Sequence, residues 1–181
     1  ISLIGDIQER IRLIDSKGYE HKAKLTILKE AARTLNYLTE NNLLQYADLE
    51  KKVEDVHSSY DRIGKELKGV EARLREVQPL IKNISNYQRL KPVYDAFQKT
   101  KDKPGFKAKH EAELVIFEAA RSTLLAMQGD EKLPSLKTLQ AEQQRLLEEQ
   151  QRLYDERAKL KKDVKQIETI KSNVDTFLAP S

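Results

Sequence analysis

Cysteine and tryptophan are absent from the 181-residue sequence, and the lack of cysteine removes disulfide frameworks, thiol nucleophiles and thiolate zinc sites together. Glycine and proline are scarce, six and five residues, about half the ordinary share. Sandwiches and barrels need a turn every ~10 residues and the residues that make turns, so this scarcity excludes them. Long apolar runs are missing too. The longest aliphatic or aromatic run is Leu114 to Phe117, four residues, where a membrane-spanning helix needs ~20. The six glycines are isolated, and none precedes the Lys-Ser/Thr ending of a phosphate-binding loop. Of the three histidines, His21, His57 and His110, no two stand at the helical spacing that holds a metal.

What the chain has in excess is charge. Charged residues make up 34% and hydrophobic ones 39%, a mixture that suits long exposed helices. The apolar residues recur too regularly for a disordered chain. A net charge of +4 is compatible with a polyanionic partner. The size suits one extended domain or two small ones and is small for an oxidoreductase or kinase. The chain opens at Ile1 with neither methionine nor a basic-then-apolar leader, and is read as an excised piece of a longer protein.

Periodicity predicts the elements. Leu3, Ile7, Ile11 and Ile14 mark a short amphipathic helix, interrupted by Ser16, Lys17 and Gly18. From Tyr19 to about Glu40, Leu25, Leu28, Ala32, Leu35 and Leu38 predict a second helix, stopped at Asn41-Asn42 because Asn tolerates the left-handed conformation. These two form an N-terminal hairpin, residues 1–45. Residues 46–181 then form a long antiparallel hairpin. Its first arm carries Leu49, Val53, Val56, Tyr60, Ile63, Leu67, Val70, Leu74, Val77, Ile81 and Ile84, alternating four and three apart, the 3.5-residue period of a coiled coil. The stripe then changes phase to Tyr87, Leu90, Tyr94 and Phe97. Pro79 and Pro92 are expected to kink this helix rather than end it.

The second arm places Leu139, Leu146, Leu153, Leu160, Ile167 and Val174 seven apart. Of its seven companion positions, Leu136, Gln143, Gln150, Arg157, Val164, Lys171 and Leu178, four are polar, so an intramolecular partner fits better than a homodimer zipper. Between the arms an inserted helix at the tip, about 106–128, has apolar residues Leu114, Ile116, Phe117, Ala120, Leu124 and Met127 over a wide arc. That width predicts burial on more than one side. Thr100 to Gly105 and Gln128 to Ser135, with Gly129, are the connecting turns. The expected fold class is all-α, an elongated antiparallel coiled-coil hairpin with a short helical hairpin at the N-terminus.

Candidate chemistry is sparse. His110 has Glu111 and Glu113 in reach for a weak imidazole and carboxylate pair, and Glu148-Glu149 lie on a coiled-coil surface with no predicted pocket. Tyr60, Tyr87 and Tyr94 fall on apolar stripes and read as core, and Tyr19 and Tyr46 near helix starts read as packing anchors. The reading assigns no catalytic residue, no metal ligand and no cofactor. Basic residues do cluster. Arg89, Lys91, Lys99, Lys101, Lys103, Lys107 and Lys109 face only Asp95 and Asp102, a surplus of five in 21 residues. Tyr87, Tyr94, Phe97 and Phe106 interleave with them as in a nucleic-acid groove, yet they also continue the core stripe, and both readings stand. A second basic run, Arg157 to Lys165, is expected to be compensated by Glu66, Glu71 and Glu76 on the antiparallel arm.

Several stretches together resemble a known family: Gly18-Tyr19-Glu20, Leu28 through Glu40 into Leu43-Leu44-Gln45-Tyr46, His110-Glu111 with Leu114, Leu133 through Glu142, and Asn173-Val174-Asp175. They are similar to the C-terminal region of the relaxase/mobilisation nucleases of plasmids and transposons in Firmicutes, over about residues 3 to 178. Where that family usually has an aromatic after the Gly-Tyr element, this chain has Glu20-His21-Lys22-Ala23. The resemblance implies a bacterial cytoplasmic parent that nicks DNA through a tyrosine and a histidine-bound metal in its N-terminal domain. No residue of this chain matches those motifs. The implied role is therefore a non-catalytic region supporting the nickase. Its implied partners are DNA, bound weakly and without sequence preference, a relaxosome accessory protein, or a type IV coupling protein. A purely structural spacer or scaffold without nucleic-acid contact is the alternative.

Overall fold

A computed structural model describes residues 2–15, 18, 20–128 and 132–180. The expectations for Ser16, Lys17, Tyr19 and Gly129 lie outside these residues. Among these described residues five helices follow in order: α1 (Leu3–Asp15), α2 (His21–Glu40), α3 (Tyr46–Lys99), α4 (Lys103–Gln128) and α5 (Leu136–Leu178). No strand occurs among the described residues, so the all-α class holds. α1 pairs with α2, and α3 packs against α5 and α4. The chain divides into two compact units, Ile1–Lys65 with Tyr154–Ser181, and Glu66–Leu153.

Local chemistry sets the helix ends. The Ser2 hydroxyl accepts from the Gly5 amide at 3.1 Å, satisfying one of the donors that a helix start leaves open. α2 stops where expected: Asn42 is left-handed with φ 55°, and the Leu43 amide reaches back to the Leu38 carbonyl at 2.8 Å. The same turn holds α1, because its first amide, at Leu3, donates to the Leu44 carbonyl at 2.8 Å. α5 begins at a serine cap, Ser135, which accepts from the Thr138 amide at 3.1 Å.

In the first unit the core is Leu3, Ile7, Leu38, Leu43, Leu49, Ile167, Ile170 and Val174. The face of α2 meets the sequence expectation at Leu38, which is buried, and at Leu35, which packs against the core, and departs from it elsewhere. Its buried residues are Ala31, Thr34 and Leu38, while Leu25 (53%), Leu28 (39%) and Ala32 are exposed. The cause is Thr34, a polar residue that is wholly buried because its hydroxyl is satisfied. It donates to the Glu30 carbonyl at 2.7 Å and accepts from the Asn173 amide group at 3.2 Å. Asn173 also donates to the Glu30 carboxylate at 2.9 Å. A buried threonine with both partners stabilises the rotated face, where an unsatisfied one would oppose it.

In the second unit Val77, Ile84, Leu124 and Leu139 form the core. All eleven seam positions of α3 are buried or half-buried across the chain. α3 continues through both prolines. Each proline removes a donor to the carbonyl four residues earlier, at Arg75 and Gln88, and both of these residues and both prolines lie on the exposed side of the helix. α4 corrects the sequence reading twice. It starts at Lys103 rather than near Phe106, because Asp102 caps it through the Gly105 amide at 3.1 Å and Pro104 sits in the first turn, where no donor is lost. It is also buried on one side only, through Leu114, Phe117, Ala120 and Leu124. Ile116, Met127, Val115 and Leu125 are exposed.

Candidate nucleic-acid interface

The basic cluster falls on the end of α3, the turn Thr100–Asp102 and the start of α4. Its seven members are not equivalent. Lys103 is committed to the fold: its ammonium donates to the Phe97 and Gln98 carbonyls, each at 3.1 Å, and lies 5.3 Å from the Phe97 ring centre. It thereby satisfies orphan acceptors at the α3 C-terminus and complements the dipole there. Lys91 pairs with Asp95 one turn on at 3.0 Å, and hydrogen bonding to that carboxylate raises its pKa. Arg89 donates to the Asn86 side chain at 3.3 Å. Lys99, Lys101, Lys107 and Lys109 are exposed, and their side chains make no hydrogen bond or ion pair among the described residues. Asp102, in the turn itself, is occupied as the α4 cap.

The aromatic residues interleaved with these cations pack against other rings. Phe117 is 1% exposed and lies between Tyr87 and Tyr94, with ring centres 5.0 and 4.5 Å away and planes within 24°. Arg121 donates to the Tyr94 hydroxyl at 3.2 Å. Phe97 and Phe106 meet at 6.0 Å, and Phe106 continues onto the His110 ring at 4.4 Å. These ring contacts are what the core-stripe reading expected. His110 takes the expected partner, Glu113, at 3.0 Å, and its backbone departs from helical geometry at φ −122° and ψ 24°.

The remaining candidates resolve into structural contacts. Tyr46 donates to Asp175 at 2.6 Å, and Lys171 donates to the Tyr46 hydroxyl at 3.1 Å and to Asp175 at 2.8 Å. Hydrogen bonds from Lys171 and then Tyr46 lower the Asp175 pKa. This clasp ties the start of α3 to the end of α5. Arg73 grips both oxygens of Glu142, at 2.5 and 3.0 Å, and also pairs with Glu76 at 3.0 Å. Of the acidic residues expected opposite the 157–165 run, Glu76 is held by Arg73, and within the run Arg157 lies over the Tyr60 ring at 5.3 Å. A cleft of about 640 Å³ in the second unit runs between α3, α4 and the segment entering α5; Arg121 and Lys132 are its charged lining residues. Among the described residues no group of three or more His, Asp or Glu is placed to hold a metal ion, and no helix is long and apolar enough to cross a membrane.

Sequence reasoning missed the Asp102 and Lys103 caps, although Asp immediately before Lys-Pro-Gly is a legible helix-start signal. It also missed the Tyr46, Lys171 and Asp175 clasp, whose members stand too far apart in sequence to suggest one another. No family model, no curated protein and no solved structure matches this chain.

Proposed function

We propose that this chain is a non-catalytic helical region of a relaxase-type mobilisation protein, and that its α3 to α4 turn contacts DNA phosphates. The observation that carries the reading is the set of four exposed, unpaired lysines, Lys99, Lys101, Lys107 and Lys109, beside a turn whose other charges are already satisfied. Cations without partners are the groups that phosphate contacts use. The family attribution rests on the sequence stretches given above. Many of those residues have structural work: Thr34, Leu38, Leu43, Tyr46, Asn173, Val174 and Asp175 hold the first unit together. Lysines of this kind position a backbone and read no bases, so binding is indifferent to sequence, with a Kd of roughly 10⁻⁴ to 10⁻⁶ M at physiological salt.

The test is fluorescence anisotropy of a labelled DNA duplex at low salt. The parent chain binds, and the variant Lys99→Glu, Lys101→Glu, Lys107→Glu, Lys109→Glu does not, with unchanged helical circular dichroism. Parent and variant binding equally, or neither binding, refutes the turn as a DNA contact and leaves the spacer reading in its place.

A further inference from the structure

A second cationic surface lies in the first unit, on the run of α5 that was expected to be neutralised. A cleft of about 240 Å³ opens between α3 and α5, lined by Tyr60, Tyr154, Arg157, Ala158 and Lys161. The Arg157 guanidinium carbon lies 5.3 Å from the Tyr60 ring centre, and Tyr154 beside them is 44% exposed. Every lining residue is aromatic, cationic or alanine. At helical spacing Tyr154, Ala158, Lys161, Lys162 and Lys165 occupy one side of α5, and all five are exposed. The carboxylates of the same stretch are placed otherwise. Glu156 and Asp163 are half-buried, and Asp163 adds to the effect of burial in raising the pKa of Tyr37 on α2. Asp155 falls at the flank.

The ligand class follows from what the cleft combines. Its volume is below the ~300–1,000 Å³ that encloses a drug-sized molecule, so it suits one flat group of a larger partner. A duplex keeps its bases stacked, and it and an acidic peptide would both leave the exposed ring unused. A single strand presents both unstacked bases and a regular series of phosphates. Aromatic rings and guanidinium planes receive the former, and lysines the latter.

We propose that the Tyr60, Tyr154, Arg157 and Lys161 cleft, continued along α5 by Lys162 and Lys165, is a contact site for single-stranded nucleic acid. The base stacks against Tyr154 and Arg157, and the phosphates lie along the lysines. The inference shares with the proposed function only its nucleic-acid partner, and uses none of the turn residues.

Anisotropy of a labelled oligothymidylate with the full chain tests it. Tyr154→Leu weakens binding roughly tenfold or more, and Tyr154→Phe, which keeps the ring, restores it to within about twofold. Lys161→Gln with Lys165→Gln makes the slope of log affinity against log salt shallower by about 1.4. Circular dichroism is unchanged throughout, since these positions are exposed. Oligothymidylate binding that is absent, that is unmoved by these variants, or that polyglutamate of equal charge displaces equally well overturns the site. A chain that binds duplex through Lys99, Lys101, Lys107 and Lys109 but ignores oligothymidylate overturns this inference and leaves the proposed function. A chain that binds oligothymidylate through Tyr154, with no effect of the turn lysines on duplex, does the reverse.

Discussion

At the scale of single residues, polar side chains with complete sets of partners decide where the helices begin, end and turn. Asp102 and Lys103 are adjacent in sequence and serve two different helices, the carboxylate starting α4 and the ammonium closing α3. Gly105 fits this arrangement because a Cβ there would collide with the Asp102 carboxylate. Asp102→Ala is expected to cost about 1 kcal/mol, read as a lower denaturation midpoint in urea. Thr34, Glu30 and Asn173 form a similar closed set between α2 and α5. Asn173→Leu removes both donations and leaves the buried Thr34 hydroxyl without its outside partner. It is expected to destabilise by roughly 1–3 kcal/mol, measured in the same way. Such sets are poorly legible in sequence. Thr34 reads as polar until its neighbours are known; of the face expected on Leu25, Leu28, Ala32, Leu35 and Leu38, Leu38 is buried and Leu35 packs on the core, while Leu25, Leu28 and Ala32 are exposed.

At the scale of elements, the repeat of α3 was the most legible feature, since only a supercoiled partner keeps a 3.5-residue stripe covered over so many turns. Its partner was legible as well, from polar companions that make α5 a poor zipper with itself. Ile170 was not, because it leaves that repeat to join α1 and α2 in the first-unit core. α4 was legible as a helix but not in its burial. Its apolar arc is wide, yet only the side with Phe117 finds neighbours. Leu153 is fully buried, so Leu153→Asp places an unpaired carboxylate in the seam and is expected to cost on the order of 4 kcal/mol. Loss of helical circular dichroism on heating reports it, and for an intramolecular pair the melting temperature of the parent is independent of protein concentration. The grip of Arg73 on Glu142 carries a pH dependence. Hydrogen bonds from Arg73 hold the Glu142 pKa below its ordinary value of 4.5. The folded state therefore binds that proton less readily than the unfolded one, and the stabilisation is present above 4.5 and lost as pH falls through the depressed value. Thermal melts of the parent and Glu142→Gln are expected to differ most at neutral pH and to converge under acid.

For the whole molecule, the charge that matters is placed by the same packing that consumes the aromatic residues. The sequence located the cationic cluster at the α3 to α4 turn but could not divide its members, since pairing with Asp95 and capping of α3 depend on the turn's geometry. Once Lys103, Lys91 and Arg89 are accounted for, the four remaining lysines set the expected electrostatics. Four phosphate contacts on a duplex give a slope of log affinity against log salt of about −3 to −4. The most direct test of the account is therefore a salt titration of duplex binding by the parent and by the chain with Lys99, Lys101, Lys107 and Lys109 changed to glutamine. The account predicts a parent slope in that range and a variant slope near zero. A parent slope near zero, or one that the four substitutions leave unchanged, would contradict it.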